Sequence, residues 1–317
     1  MKKGMFIDEI RQERPVEGLF YIAAKKMGNT REGKPYISLT LADKTGQIEA
    51  KIWDDATQLD RLCKKDGFVF INAVCKPYNG ALQLTVRAVT PVNEDAIDLR
   101  DFMPAAQVDV ANLWQEMSKY IGRITDPAYT RLLAALFSDE RLLTAYCTAP
   151  GAKRLHHAYL HGLLVHTLQM VRVAEAICNL YPGLDQDLLM TGIILHDLGK
   201  IGEYDFSRPG FNRTDEGRLV GHLNIAISMI DEAAARIGLD LHAPRMVGLK
   251  HLILSHHGRH EYGSPVLPMT KEAFVLHFID EIDAKINYLD NLKTEMKDST
   301  DTWSEYQGIY GRAFHLP

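Results

Sequence analysis

The hydrophobic period of this chain changes near residue 93, and that change limits the folds open to it. Before it, apolar residues alternate in five short runs, VEGLFYIAAKKM, KPYISLTLAD, GQIEAKIWD, GFVFINAVCKPY and ALQLTVRAVTPV, broken by Gly, Asn, Asp and Pro. A period of two describes strands with one buried face. Asp43-Lys44-Thr45-Gly46 reads as a turn, and Tyr78-Asn79-Gly80 supplies the hairpin signal between the last two strands. After residue 93 the spacing is helical, first in VANLWQEMSKYIGR and then in DPAYTRLLAALFSDERLLTAYCTAP, where Asp126 before Pro127 predicts a helix start. Beyond residue 155 helices continue with no convincing strand. The prediction is multidomain: a small β-barrel at 1–92, a linker and first helix at 93–125, an all-α domain at 126–292 and a tail at 293–317.

At 317 residues the chain exceeds what one core usually serves, and with 46% hydrophobic and 24% charged residues it can bury two. No signal peptide follows the N-terminal lysines, and no run of about 18 uncharged apolar residues predicts a membrane span. Four scattered cysteines without a Cys-x-x-Cys pair suggest neither disulfides nor a zinc ribbon, which points to the cytoplasm. The net charge of -5 is uneven: residues 1–92 carry 15 Lys+Arg against 11 Asp+Glu, while the rest carries 21 against 30. Five strands in about 75 residues match an OB-fold, whose open face binds single strands by stacking and a cationic groove. Tyr21, Tyr36, Trp53 and Phe70 are candidate stackers and Lys51 a candidate groove cation. The alternative for each aromatic is plain barrel core.

All 13 histidines lie at or after His156. His166 sits in a helix whose Leu160, Leu163, Leu164, Leu168, Val171 and Ala174 form the apolar stripe, so it faces partly inward. His196-Asp197 ends the apolar run LLMTGIILHDLGK, where a buried carboxylate needs positive compensation. A metal ion would be the economical compensator, and the nitrogen and oxygen donors suit Mn, Fe, Co or Zn better than Ca. His222 opens one helix after a Gly, and His256-His257 close another before one. Asp280 lies in AFVLHFIDEIDAKINYL, whose Leu276, Ile279, Ile282 and Ile286 are expected to face the core, with His277 and Asp283 beside it. Each residue alone has an ordinary structural reading; together they give five helical segments with a ligand type on each.

The order H…HD…H…HH…D resembles the HD-domain metal-dependent phosphohydrolases. The flanks, HH-x-Y-x-x-G-L-x-x-H-T at 156–167, ILHDLGK at 194–200, GH at 221–222 and LSHHGRHEYGSPVLP at 254–268, look like the YhaM-type 3′→5′ exoribonucleases, in which an OB-fold precedes the HD domain. The likeness covers the chain except its last 25 or so residues. It departs at His161, where a small residue is expected, and the chain lacks the GYP triplet of cyclic-dinucleotide phosphodiesterases.

The resemblance implies two divalent ions, Mn, Fe or Co in preference to Zn or Mg, bridged by Asp197. His166, His196 and Asp280 would complete one site and His222, His256 and His257 the other. Such a pair activates the nucleophile and neutralises phosphate charge. Lys200 is expected to add a cation to that phosphate, with a helix-dipole lysine as its plain alternative. His157 is expected to contact the substrate phosphate, and His277 and Asp283 to orient ligands. The implied substrate is single-stranded RNA, with single-stranded DNA open, cut to 5′-mononucleotides. The rivals are a hydrolase of small or cyclic nucleotides with a regulatory OB domain, and a single-strand binding protein with an inactive HD domain. The partners expected are single-stranded RNA or DNA, no membrane, and in a homo-oligomer further copies of the chain.

Overall fold

The alternating runs become five strands, β1 (Pro15–Asn29), β2 (Pro35–Asp43), β3 (Gly46–Ile52), β4 (Phe68–Tyr78) and β5 (Ala81–Pro91), closed into a barrel in the order β1-β2-β3-β5-β4. Closure depends on β1, which pairs with β4 over Pro15 to Tyr21 and with β2 from Tyr21 to Asn29. An irregularity between Ile22 and Ala24 bends the strand so that it serves both neighbours. The sheet then seals by parallel pairing of Glu49–Lys51 in β3 with Gln83–Thr85 in β5. This is the five-stranded OB arrangement. Both sequence turns are two-residue hairpins, and Asn79 and Gly80 have φ of 49° and 82°, the double positive that the right-handed twist of a tight hairpin requires. Phe20, Ile22, Ile37, Leu39, Leu41, Ile71 and Leu84 fill the interior. A short helix, α1 (Ala56–Leu59), joins β3 to β4.

The computed structural model describes every residue except 1, 94–96, 104, 107, 154–156 and 298. The chain divides into two compact units, Met1–Pro104 with Ser207–Gly210, and Ala105–Phe206 with Phe211–Pro317. The segment expected to be a linker is therefore partly barrel. Phe102 and Met103 are buried, and the Phe102 ring meets Phe68 edge-on at 4.9 Å between centroids.

The second unit is helical: α2 (Val110–Ile121), α3 (Pro127–Phe137), α4 (Glu140–Thr148), α5 (Gly162–Leu180), α6 (Gln186–Leu195), α7 (Lys200–Glu203), α8 (Asp215–Leu219), α9 (His222–Arg236), α10 (Pro244–Ser255) and α11 (Lys271–Glu295). Carboxylates start several of these, and Asp126 accepts from the amides of Ala128 and Tyr129 as the Asp-Pro signal predicts. One small departure from an all-α reading is the two-stranded ladder Tyr204–Asp205 with Asn212–Arg213, too short to leave a period in the sequence. At the centre lies α6, whose Leu189, Met190, Ile193, Ile194 and Leu195 are all buried among α5, α10 and α11. The end of this buried helix is where His196-Asp197 stands. No helix among the described residues is long and apolar enough to cross a membrane.

The expectation for α11 needs correction. Leu276 and Ile279 are buried, but Ile282 and Ile286 are 48% and 56% exposed. At about 100° per residue, Ile282 lies roughly 120° around the helix from Leu276, off the buried stripe.

Candidate metal centre

Five helical segments bring their ends or inner faces to one point. Because Gly199 lacks a Cβ, the turn after Asp197 can press against the start of α9; an added Cβ would lie 2.0 Å from the His222 carbonyl oxygen. That approach carries His222 to Asp197. The two carboxylate oxygens of Asp197 then face different groups. Oδ2 lies 3.2 Å from His196 Nε2 and 3.9 Å from His166 Nε2, which is itself 3.3 Å from Asp280 Oδ1. On the other side Oδ1 lies 3.5 Å from His222 Nε2 and 3.8 Å from His256 Nε2. Donor atoms of His222, His256 and His257 all fall within 4.8 Å of one another.

These are donor sets of the kind that hold divalent ions. Among the described residues, Asp197 Oδ1, His222 Nε2 and His257 Nδ1 are buried with no hydrogen-bond partner, and the first two lie 3.5 Å apart. Orphaned polar atoms at one point are costly unless a cation satisfies them. The tautomers agree. His196 Nδ1 donates to the Ile193 carbonyl at 2.7 Å, and His256 Nδ1 does the same to Ile253 at 2.7 Å. A carbonyl can only accept, so Nε2 of each ring keeps its lone pair for the cluster.

Charge is arranged to keep the carboxylates ionised. Burial alone would raise the Asp197 carboxyl, but the Lys200 ammonium and the His196 and His222 imidazoles hold it well below the usual range. Burial opposes ionisation of Asp280 too, and hydrogen bonding and charge from His166 again prevail. For His256, burial and then the neighbouring His257 and His196 hold the ring neutral, as a ligand must be. His166 is the contrasting case: burial would lower it, yet Asp280 and Asp283 carry it up to about 9.

A further layer fixes the rings. Asp283 Oδ2 accepts from His166 Nδ1 at 2.6 Å and from His157 Nε2 at 2.7 Å, while His157 Nδ1 meets the Tyr159 hydroxyl at 2.7 Å. His157 is fully buried with both nitrogens occupied. It supports Asp283, whereas the sequence reading gave it a substrate phosphate. His156 lies outside the described residues. His277 Nδ1 donates to the His256 carbonyl at 2.9 Å, in keeping with an orienting place. Lys200 is buried, pairs with Asp197 Oδ2 at 2.5 Å and donates to the Gly151 carbonyl, so it braces the carboxylate instead of standing open to a phosphate. His161 adopts φ of 71°, a conformation that favours Gly, and its Nδ1 bonds the Cys147 carbonyl at 2.8 Å, which accounts for the small residue expected there.

Sequence reasoning missed Glu203, Tyr159 and Asn287. Glu203 is buried and holds His222 Nδ1 at 2.7 Å. Asn287 accepts from the His157 amide at 2.7 Å. Tyr159 lies within a quoted motif; the other two meet their partners only through helix packing, which leaves no spacing to read.

In the barrel, Tyr36 and Trp53 stack at 5.0 Å between centroids, with Lys51 Nζ 5.5 Å from the Tyr36 ring and 2.7 Å from Ser38 Oγ. They form one partly exposed patch on β2, β3 and the residue that follows β3. Tyr21 does not join it: it is 5% exposed, packs on Phe68 and bonds Asp66, so the core alternative holds.

An OB-type barrel joined to a helical unit that gathers histidine and aspartate around a buried His-Asp pair defines an HD-domain protein with a nucleic-acid-binding barrel. Family models agree, an OB-fold nucleic acid binding domain matching residues 21–92 and an HD domain matching 163–285. The chain is 35% identical over its whole length to 3′-5′ exoribonuclease YhaM of Geobacillus sp. strain WCH70, covering 96% of that protein, and 35% identical to that of Bacillus subtilis, covering 99%. It belongs to the YhaM 3′-5′ exoribonuclease family. Among solved structures, the second OB-fold domain of replication protein A from Methanococcus maripaludis matches 28% of the chain and 94% of its own at 21% identity and a TM-score of 0.24, too slight a likeness to add to the barrel itself.

Proposed function

We propose that this chain is a metal-dependent 3′→5′ exoribonuclease that shortens single-stranded RNA, with single-stranded DNA open as a second substrate, releasing 5′-mononucleotides in the cytoplasm. The observation that carries the reading is Asp197, whose two oxygens face two separate ligand groups. One divalent ion would be held by His166, His196, Asp197 and Asp280, and a second by Asp197, His222, His256 and His257. Mn, Fe or Co suits these mixed imidazole and carboxylate sets best, with Zn or Mg as lesser fits. Bound there, the ions supply Lewis acidity and an activated water.

The remaining work belongs to the chain. Lys200 balances the charge of Asp197 and holds Oδ2 in place. Asp283 and Glu203 fix the rings of His166 and His222, so the nitrogens keep a constant aim. The cluster is closed on the side of His166, His196 and His256 and partly open at His222, His257 and Asp280, which admits the phosphate from that side. The Tyr36, Trp53 and Lys51 patch would hold an unpaired strand by stacking and charge.

The test is end-labelled single-stranded RNA with Mn²⁺ and identification of the product. Stepwise shortening from the 3′ end to 5′-mononucleotides is expected, with a 3′-blocked strand protected. Equal cutting of circular RNA would make the protein an endonuclease, and preference for a small or cyclic nucleotide would favour the regulatory reading of the barrel.

A further inference from the structure

A cavity of about 330 Å³ is lined by Arg259, Tyr262, His277, Phe278, Glu281, Ile282 and Lys285, near the proposed ligands in the chain. It is joined to the centre by covalent neighbours. Arg259 and Tyr262 lie on the loop that leaves His257; on α11, His277 shares the Asp280 side while Phe278 and Ile282 lie further around the helix. His277 is the shared wall, bonded to the His256 carbonyl on one side and 5.1 Å from the Phe278 ring on the other.

Its lining is unusual for plain surface. Tyr262 and Phe278 are 56% and 57% exposed, large rings left in water within one concavity. Arg259 stands 5.6 Å from the Tyr262 ring centre. Lys285 supplies a second cation, paired with Glu281 one turn back. Exposed π-faces beside cations are the chemistry that takes a nucleobase and its phosphate.

We infer that this cavity is a nucleotide subsite for the substrate strand, in which Tyr262 and Phe278 hold the base next to the scissile phosphate and Arg259 and Lys285 hold its backbone. The inference rests on the exoribonuclease reading and deepens it. Each strand positioned for hydrolysis would place one of its two 3′-terminal nucleotides here. The base is gripped by its faces and not its edges, so the subsite accepts any of the four bases.

The test is a cycle of base and side chain on the full-length protein with Mn²⁺. Wild type, Tyr262→Ala and Arg259→Ala are compared on an RNA oligomer and on the same oligomer with an abasic ribose at the last or next-to-last position. For wild type, removing the base at one of these positions should raise KM about 5- to 150-fold, the range for one lost stack. Tyr262→Ala should raise KM on the intact strand and shrink the further rise on the abasic one, leaving only the share that Phe278 supplies. Arg259→Ala should weaken both strands equally and flatten the dependence of KM on salt. Unchanged KM in Tyr262→Ala overturns the subsite alone, as does an equal loss on intact and abasic strands, which would mark a structural role. Light scattering of Phe278→Ala adds a separate check. A change in mass that accompanies the loss of RNA affinity overturns the inference in favour of a subunit interface. Failure of wild type to shorten RNA at all overturns the exoribonuclease reading, and the subsite with it.

Discussion

Asp197 is almost wholly buried and is held ionised by Lys200 and two imidazoles, so an amide in its place changes charge and keeps shape. Asp197→Asn should abolish hydrolysis, because an amide cannot bridge two cations, while the far-UV circular dichroism is retained. Its melting temperature should fall, since the buried Lys200 loses its counter-ion, a change worth about 3–5 kcal/mol in comparable pairs. Activity within a few-fold of wild type would defeat the two-metal assignment. Glu203→Gln acts one bond further out: His222 Nδ1 loses a charged acceptor, and affinity for Mn²⁺ should drop about 10- to 100-fold in calorimetric titration of metal-free protein. Equal affinity would show that His222 needs no such support. The cysteines offer a pH test away from the cluster. Burial pushes the Cys63 and Cys147 thiols up from 9.0 to about 11. A raised acid favours the folded state while it stays protonated, so this contribution is complete below pH 9 and lost as pH rises toward 11. Chemical denaturation from pH 8 to 11 should show stability falling, and native thiols should react slowly with a disulfide reagent at pH 8.

Among the elements, packing settles what periodicity leaves open. The five strands and both hairpins were legible because alternation and turn chemistry are local. So was the start of α3 at Asp126-Pro127. The far half of α11 was not, since apolar residues three apart drift around a helix and only its neighbours decide where the buried stripe ends. Tyr21 and His157 failed for a similar reason: their residue types suit function, yet pairing with Asp66 in one case and Asp283 in the other turns them inward. The proposed metal ligands stood out in the sequence because imidazoles and carboxylates at the ends of apolar helices have few other uses, whereas Glu203 is set by the fit of α7 against α9. That fit depends on Gly199. Gly199→Ala puts a Cβ 2.0 Å from the His222 carbonyl, so α9 must move and His222 with it. Elemental analysis should then give a metal content nearer one than two, with a lowered melting temperature. Two ions retained at wild-type affinity would show that α9 yields without cost.

At the scale of the whole molecule, the switch of period near residue 93 divides a basic strand-rich part from an acidic helical one, and every proposed ligand lies in the second. Separating the two should therefore separate binding from chemistry. The cut belongs after residue 104 and not at 92, because Phe102 and Met103 are buried and Phe102 packs on Phe68 of the barrel; leaving them on the helical part would expose apolar surface. The protein lacking residues 1–104 should keep two metal ions and still hydrolyse a dinucleotide. Its KM for long RNA at low salt should rise, since each lost base stack is worth about 1–3 kcal/mol and the lost phosphate contacts add a salt-dependent share. That deficit should shrink as salt is raised, because the intact protein then loses the same electrostatic advantage. Replacing Trp53 with Ala in the full chain should reproduce part of the low-salt loss without altering dinucleotide turnover. If the shortened protein folds and degrades long RNA with unchanged KM at low salt, the barrel does not guide the strand, and a regulatory role for it gains ground.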